Sequence, residues 1–391
     1  MKQLKKISLL FSVILPSLFF SSCSSTGDKK NTPPERNVVL STKWVRDSLA
    51  KENTGFRKIN RMSPIIYKNK IIIGNAIDGL VAYNQESGQE VWRIPIPYGV
   101  EASGTVIRDR LFGGSNSGKM YSIDLSLGAV VWTFDTKSEA VAEPLLNDGV
   151  LYFISGSQAL FALDAVSGKQ LWTYNRQDTS NLMTIRGGSK PAISKGFLYV
   201  GFSDGSLVSF NAKTGTQQWE ITLNKNTRFK DIDSSPVVDG EFIYINSYDD
   251  KLYCVSKNKG EIIWSVKGGG VSTPIISGER IIFGSSRSEM ISVYKKDGKE
   301  FWRFKSASSG VMTDPVLFKG YVVAGESQGS LVLLDLLTGI KKASFDPGRG
   351  VFSKPNVQLD QDMIYFISGE GNAYAIHADL NAPPSLYYLR Q

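Results

Sequence analysis

The stretch Ala-Leu-Asp-Ala-Val-Ser-Gly-Lys-Gln-Leu-Trp, residues 162–172, decides how this chain folds. An apolar strand ends at Asp164, a turn closes at Gly168, and a new strand carries Trp172 four residues later. The same spacing recurs as Gly88/Trp92, Gly128/Trp132, Gly215/Trp219, Gly260/Trp264 and Gly298/Trp302. The glycines lie 40, 40, 47, 45 and 38 residues apart, and Gly339 follows 41 later with Ala343 in the Trp position. A fixed period near 40 is the signature of a repeat architecture.

Each unit has one grammar. An opening position is held by Pro64, Thr105, Pro144, Pro191, Pro236, Pro274, Pro315 or Pro355. An apolar strand, a turn, an alternating strand, a turn ending in Gly and a Trp strand follow. The strands are short, rich in β-branched and aromatic residues, and bounded by Gly, Asp, Asn and Ser. No 12-residue window has a helical period. The unit is a four-stranded antiparallel sheet. The last unit lacks its Trp strand, and Thr42-Lys43-Trp44-Val45 supplies one from the other end of the chain. Residues 41–378 then span 338 positions, about 42 per blade. The expectation is all-β: an eight-bladed β-propeller of four-stranded antiparallel blades, closed by the N-terminal strand pairing into the last blade. Closure removes two sheet edges that an open array would expose. Trp44, Trp92, Trp132, Trp172, Trp219, Trp264 and Trp302 are the structural residues of the repeat, expected to pack across blades.

Residues 1–22 read as a secretory signal peptide: Lys2, Lys5 and Lys6, an apolar run from Ile7 to Phe20, then Ser21 and Ser22. Phe20-Ser21-Ser22-Cys23 resembles the bacterial lipobox, with Phe for the usual Leu. The resemblance implies lipidation at Cys23, and Ser24 after it implies the outer membrane. Residues 23–40 read as the lipidated Cys and a flexible tether, and 379–391 as a C-terminal tail. Without the signal and its three lysines the chain has 369 residues, and its side-chain net charge falls from +8 to +5. Lysines and arginines are spread among blades, so nucleic-acid binding is not expected.

The remaining chemistry is sparse. One histidine excludes multi-histidine metal centres, and two distant cysteines exclude CxxC sites. Cys254 falls in a small-residue column with Ala82, Ser122, Ala162, Ser209 and Ser292, and is expected to be buried and inert. His377 aligns with the turn-entry residues Asn84, Asp124, Asp164 and Asn211. No catalytic residue, metal site or cofactor is expected beyond the covalent lipid at Cys23.

From each Trp to the next opening position the gaps are 13, 12, 19, 17, 10 and 13 residues. The two longest, 172 to 191 and 219 to 236, are consecutive and emerge on the same end of the ring. Long loops on a rigid scaffold are where binding tends to reside.

The repeat is similar to the tryptophan-docking repeat of quinoprotein dehydrogenases. That branch implies a vicinal cysteine pair, a calcium site and a catalytic Asp in the ring funnel, and this sequence has no adjacent cysteines. A lipoprotein signal followed by eight such repeats resembles the BamB family, propeller lipoproteins of the outer-membrane β-barrel assembly machinery. Two strings carry the resemblance: Met183-Thr-Ile185-Arg186-Gly-Gly-Ser-Lys-Pro191 and Asp231-Ile-Asp233-Ser-Ser-Pro236. It implies a non-catalytic periplasmic scaffold on the outer membrane. It also implies that Met183, Ile185, Arg186, Asp231 and Asp233 contact the POTRA region of a BamA-like barrel subunit. Alternatively, Arg186 pairs with Asp231 or Asp233 and holds adjacent loops together. Unfolded outer-membrane protein clients are a further expected partner, through the outer strand edges. The competing functions are a PQQ-dependent dehydrogenase or another ligand-binding propeller.

Overall fold

A computed structural model describes residues 37–50, 59–140, 142–176, 188–226 and 230–382. Among these residues the chain forms eight four-stranded antiparallel sheets. Seven are built from consecutive strands: 65–95, 105–135, 145–175, 192–222, 237–267, 275–305 and 316–345, here blades 1 to 7. Blade 8 takes three strands from 356–382 and its outermost strand, Asn37–Asp47, from the start of the ring. Trp44 lies opposite Ala375 in that pairing, so the closure expected from the orphan Trp strand is present. The two joining strands, Asn37–Asp47 and Asn372–Ala382, reach past 41–378 at both ends. His377 therefore sits inside a strand, paired with Ser41 and Met363, and not at a turn entry. The long outer strand continues the ladder where other blades turn.

The repeat's grammar has a packing cause. The small-residue column faces the Trp column across the third and fourth strands: Ala82 opposite Trp92, Ala162 opposite Trp172, Ser209 opposite Trp219, Cys254 opposite Trp264. Where the Trp becomes Ala343, its partner becomes Leu333. The larger Leu333 thus takes up part of the volume that the missing Trp leaves, as close-packed interiors require. Cys254 is buried, and burial pushes its thiol pKa up to about 12.

The glycines are demanded by their neighbours as much as by the turn. Gly168 has φ +73°, and a Cβ there would lie 2.7 Å from the Trp132 ring of the preceding blade. Each of the seven repeat glycines meets the preceding blade's Trp in this way, at 2.6–3.3 Å. Six of the seven indoles also donate to a backbone carbonyl of the next blade, such as Trp172 Nε1 to Ala212 O at 3.0 Å and Trp44 Nε1 to Gln85 O at 2.9 Å. Each such bond contributes roughly 1 kcal/mol net, and the ring area buried adds more. Gly-x-x-x-Trp is therefore an interblade lock, closed around the ring by Trp44 on Gly88.

At the ring's inner edge of blades 5 to 8, a hydroxyl two residues before the opening proline ties the loop to its blade. Ser272 accepts from Gly284 N–H at 3.1 Å, Thr313 from Gly325 N–H at 2.8 Å and Ser353 from Ile367 N–H at 3.1 Å. The proline that follows has no N–H to satisfy, so the short first strand starts without an orphan donor beside the channel.

Candidate functional site

Strand direction sorts the connections into two faces. Links from a fourth strand to the next first strand, and the turns between second and third strands, lie at one end of the ring. Turns between first and second, and third and fourth strands, lie at the other. The long connections between blades 3 and 4 and between blades 4 and 5 share the first face. Met183, Ile185 and Arg186 lie outside the described residues, as do Cys23 and the signal peptide. Whether Arg186 meets either aspartate also falls outside them.

The ends of both loops are held firmly. Arg176, where the first loop leaves blade 3, donates from Nε to Asp204 at 2.6 Å and from Nη2 to Glu220 at 2.6 Å. Its guanidinium stacks 4.8 Å over the Phe202 ring. A forked guanidinium suits this double carboxylate grip better than an ammonium would. In the second loop Ile232 is buried against Gly201, where a Cβ would meet its Cγ2 at 2.5 Å. Its N–H donates to Phe202 O at 3.3 Å, and Tyr248 N–H donates to Asp231 O at the same distance.

This docking decides the fate of the two carboxylates. Asp231 is fully buried. Asp233, two residues on, is half-buried. Burial pushes its pKa up to about 8, the charge of Asp231 adds to the rise, and Arg61 opposes it. Burial thus favours the protonated carboxyl, which can donate as well as accept a hydrogen bond. Arg61 comes from the connection between blades 8 and 1, diametrically across an eight-bladed ring from blade 5. It also reaches the buried Glu101 at 3.4 Å, which Asn116 Nδ2 holds at 3.0 Å. The signal for Arg61 was in the sequence: it stands three residues before Pro64, as Asp233 stands three before Pro236.

One step deeper, the residues just before the opening positions form a collar round the channel. They are Ser63, Gly104, Glu143, Lys190, Ser235, Thr273, Asp314 and Lys354. Neighbours are linked backbone to side chain: Lys190 N–H to Ser235 Oγ at 3.1 Å, Ser235 N–H to Thr273 Oγ1 at 3.2 Å, Thr273 N–H to Asp314 Oδ1 at 2.7 Å. Lys190 pairs with Glu143 at 2.5 Å. Burial raises the Asp314 pKa, Glu143 adds to it, and Lys354 opposes it. Each acid of the collar thus has a lysine beside it. This does not fit the calcium and quinone of the dehydrogenase propellers. The collar's acids are paired with ammonium groups rather than gathered as cation ligands, and Cys254 has no adjacent cysteine in the sequence.

Comparison with known proteins agrees with this geometry. A family model described as "Outer membrane protein assembly factor BamB" matches residues 77–303 and 234–382. The chain is 26% identical to the BamB of Shewanella oneidensis over 373 residues, covering 90% of this chain and 94% of that protein. It is 27% identical to the BamB of Yersinia pestis over 320 residues, covering 76% and 80%. The crystal structure of BamB from Moraxella catarrhalis superposes with a TM-score of 0.73 at 19% identity, over 87% of this chain and all of that one. The quinohemoprotein alcohol dehydrogenase of Comamonas testosteroni superposes at 0.69 with 12% identity, over 86% and 76%, a likeness of fold alone.

Proposed function

The chain belongs to the BamB family of outer membrane protein assembly factors, which are not catalysts, and we propose that it serves the barrel-assembly machinery as a lipid-anchored periplasmic scaffold. Its loop face docks onto the POTRA region of a BamA-like barrel subunit. The observation that carries this is the pair of adjacent long loops whose bases are pinned by Arg176 and Ile232. Pinned bases lower the entropy lost when the loop tips bind. Met183, Ile185 and Arg186 supply an apolar and forked-cation anchor. Asp233 offers a carboxyl from the second loop, and the buried Asp231 anchors that loop at its base.

Acylation at Cys23 after removal of residues 1–22 confines the propeller to the outer membrane. That raises its effective concentration near an integral partner. The test is to exchange Arg186→Glu and Asp233→Lys separately and measure co-purification with the barrel subunit. Both variants recovering it as well as the unaltered protein does would remove this face from the interface.

A second reading concerns unfolded clients. The outer strands of blades 2 and 5 expose consecutive apolar residues, Val130 with Val131 and Ile262 with Ile263. Such an unpaired edge suits addition of an extended strand. Val131→Lys and Ile263→Lys would then reduce cross-linking to unfolded barrel segments while sparing the loop-face contact.

A further inference from the structure

At the end of the ring opposite the loop face, a cleft of about 720 Å³ opens between blades 3 and 4. This is within the range of roughly 300–1,000 Å³ typical of ligand sites. The sequence shows why a gap opens here. In blades 1, 2 and 6 the residue after the third strand packs against the preceding blade. Gln85 reaches Gln361 at 2.8 Å, Lys295 reaches Asp239 at 2.8 Å, and Leu125 is buried in the cluster that holds Tyr67. In blade 4 this residue is Ala212, too short to reach across. Alanine recurs at 165 and 378; beside the latter, an ion pair between inner turns, Lys319 to Asp362 at 2.5 Å, joins blades 7 and 8. Between blades 3 and 4 the matching residues, Asp148 and Lys195, line the cleft instead. Asp148 accepts from Asn147 at 2.8 Å, and Lys195 turns towards Glu241 in blade 5 at 3.7 Å.

We propose that this cleft is a docking site for a short acidic peptide segment that inserts one apolar side chain. The walls supply Val150 and Ile193, with Leu171 and Phe197 exposed to 52% and 37%. The rim carries two exposed ammoniums, Lys195 and Lys213, against the single carboxylate of Asp148. An apolar floor under a cationic rim is complementary to an apolar side chain flanked by carboxylates. The back wall is set in advance: Tyr152 Oη and Trp172 Nε1 both donate to Ala212 O, at 3.2 and 3.0 Å. Their donors are thus occupied; Tyr152 is buried, and Trp172, half-buried between Tyr152 and Gly215, leaves part of its indole for apolar contact. Because the cleft lies at the opposite end from the loop face, both sites can be filled at once.

The probe is a fluorescein-labelled Asp-Glu-Phe-Glu-Asp amide, followed by fluorescence anisotropy against the full-length protein in detergent. Saturable binding is expected, about tenfold weaker when Ala replaces the Phe, as loss of one buried aromatic side chain implies. Ala212→Leu places in blade 4 the residue that blade 2 carries. It should weaken binding at least about tenfold without lowering the melting temperature. The double reversal Lys195→Glu with Lys213→Glu should weaken it comparably and decides the matter if Ala212→Leu does not fold. Absence of saturation, or unchanged affinity in the folded variants, overturns the proposal. Co-purification with the barrel subunit is expected to be unaffected by Ala212→Leu, which separates this site from the loop face.

Discussion

Two glycines of blade 3 offer a controlled test of the interblade lock. Gly168 and Gly149 have nearly the same backbone, with φ +73° and +78°. A Cβ on Gly149 would meet nothing within 4 Å, whereas one on Gly168 would lie 2.7 Å from Trp132 Cδ2 and 2.8 Å from Cε3. Alanine at either position incurs the left-handed strain of an L-residue, roughly 1–2 kcal/mol. Only Gly168→Ala must also displace an indole that is hydrogen-bonded to Ala165 O at 3.2 Å. Overpacking of this kind costs about 1–3 kcal/mol. Gly168→Ala should therefore be less stable than Gly149→Ala by roughly 2 kcal/mol, read as a difference in urea midpoint at constant slope. Trp132→Ala alone should cost about 3–5 kcal/mol. In that background the extra cost of Gly168→Ala should vanish, since the ring it strikes is gone. Equal losses for the two glycine variants, or an undiminished cost of Gly168→Ala in the Trp132→Ala background, would refute the claim that the Trp dictates the glycine.

Ala343→Trp should destabilise by about 1–3 kcal/mol because Leu333 already fills the layer, and Leu333→Ser in the same chain should recover most of the loss; thermal melting reports both. Cys254 should resist a disulfide reagent at pH 8 in the folded protein and react fully in denaturant, because burial holds its thiol protonated. For Asp233 the folded pKa, about 8, lies above the unfolded value. The folded state therefore binds the extra proton, and stability falls as pH rises from about 4 to 8. Asp233→Asn should then gain in melting temperature relative to the unaltered protein as pH goes from 5 to 9. A constant difference would show that the carboxyl is not perturbed.

Much of the candidate site was legible as position but not as environment. Loop lengths located the two long connections, since a repeat supplies its own ruler. They did not reveal that Ile232 would plug into the space above Gly201 and so carry Asp231 into the interior. Asp231 and Asp233 read as two equal carboxylates in the sequence. The fold separates them, one buried and one half-buried within reach of the charge of Arg61. His377 was misplaced because a column inferred from four blades does not hold in the one blade completed by a distant strand.

The sequence by itself determined the blade, the number of blades and the way the ring closes. Those depend on local turn chemistry, on period-two strands and on counting tryptophans, all of which recur along the chain. Only the tertiary structure decided which groups confront one another across the ring. Arg61 acts on the charge of Asp233, each acid of the collar meets a lysine, and a cleft opens at Ala212. The physical reason is that closure brings together residues hundreds of positions apart, where burial and charge, unlike spacing, have no periodic trace in the chain.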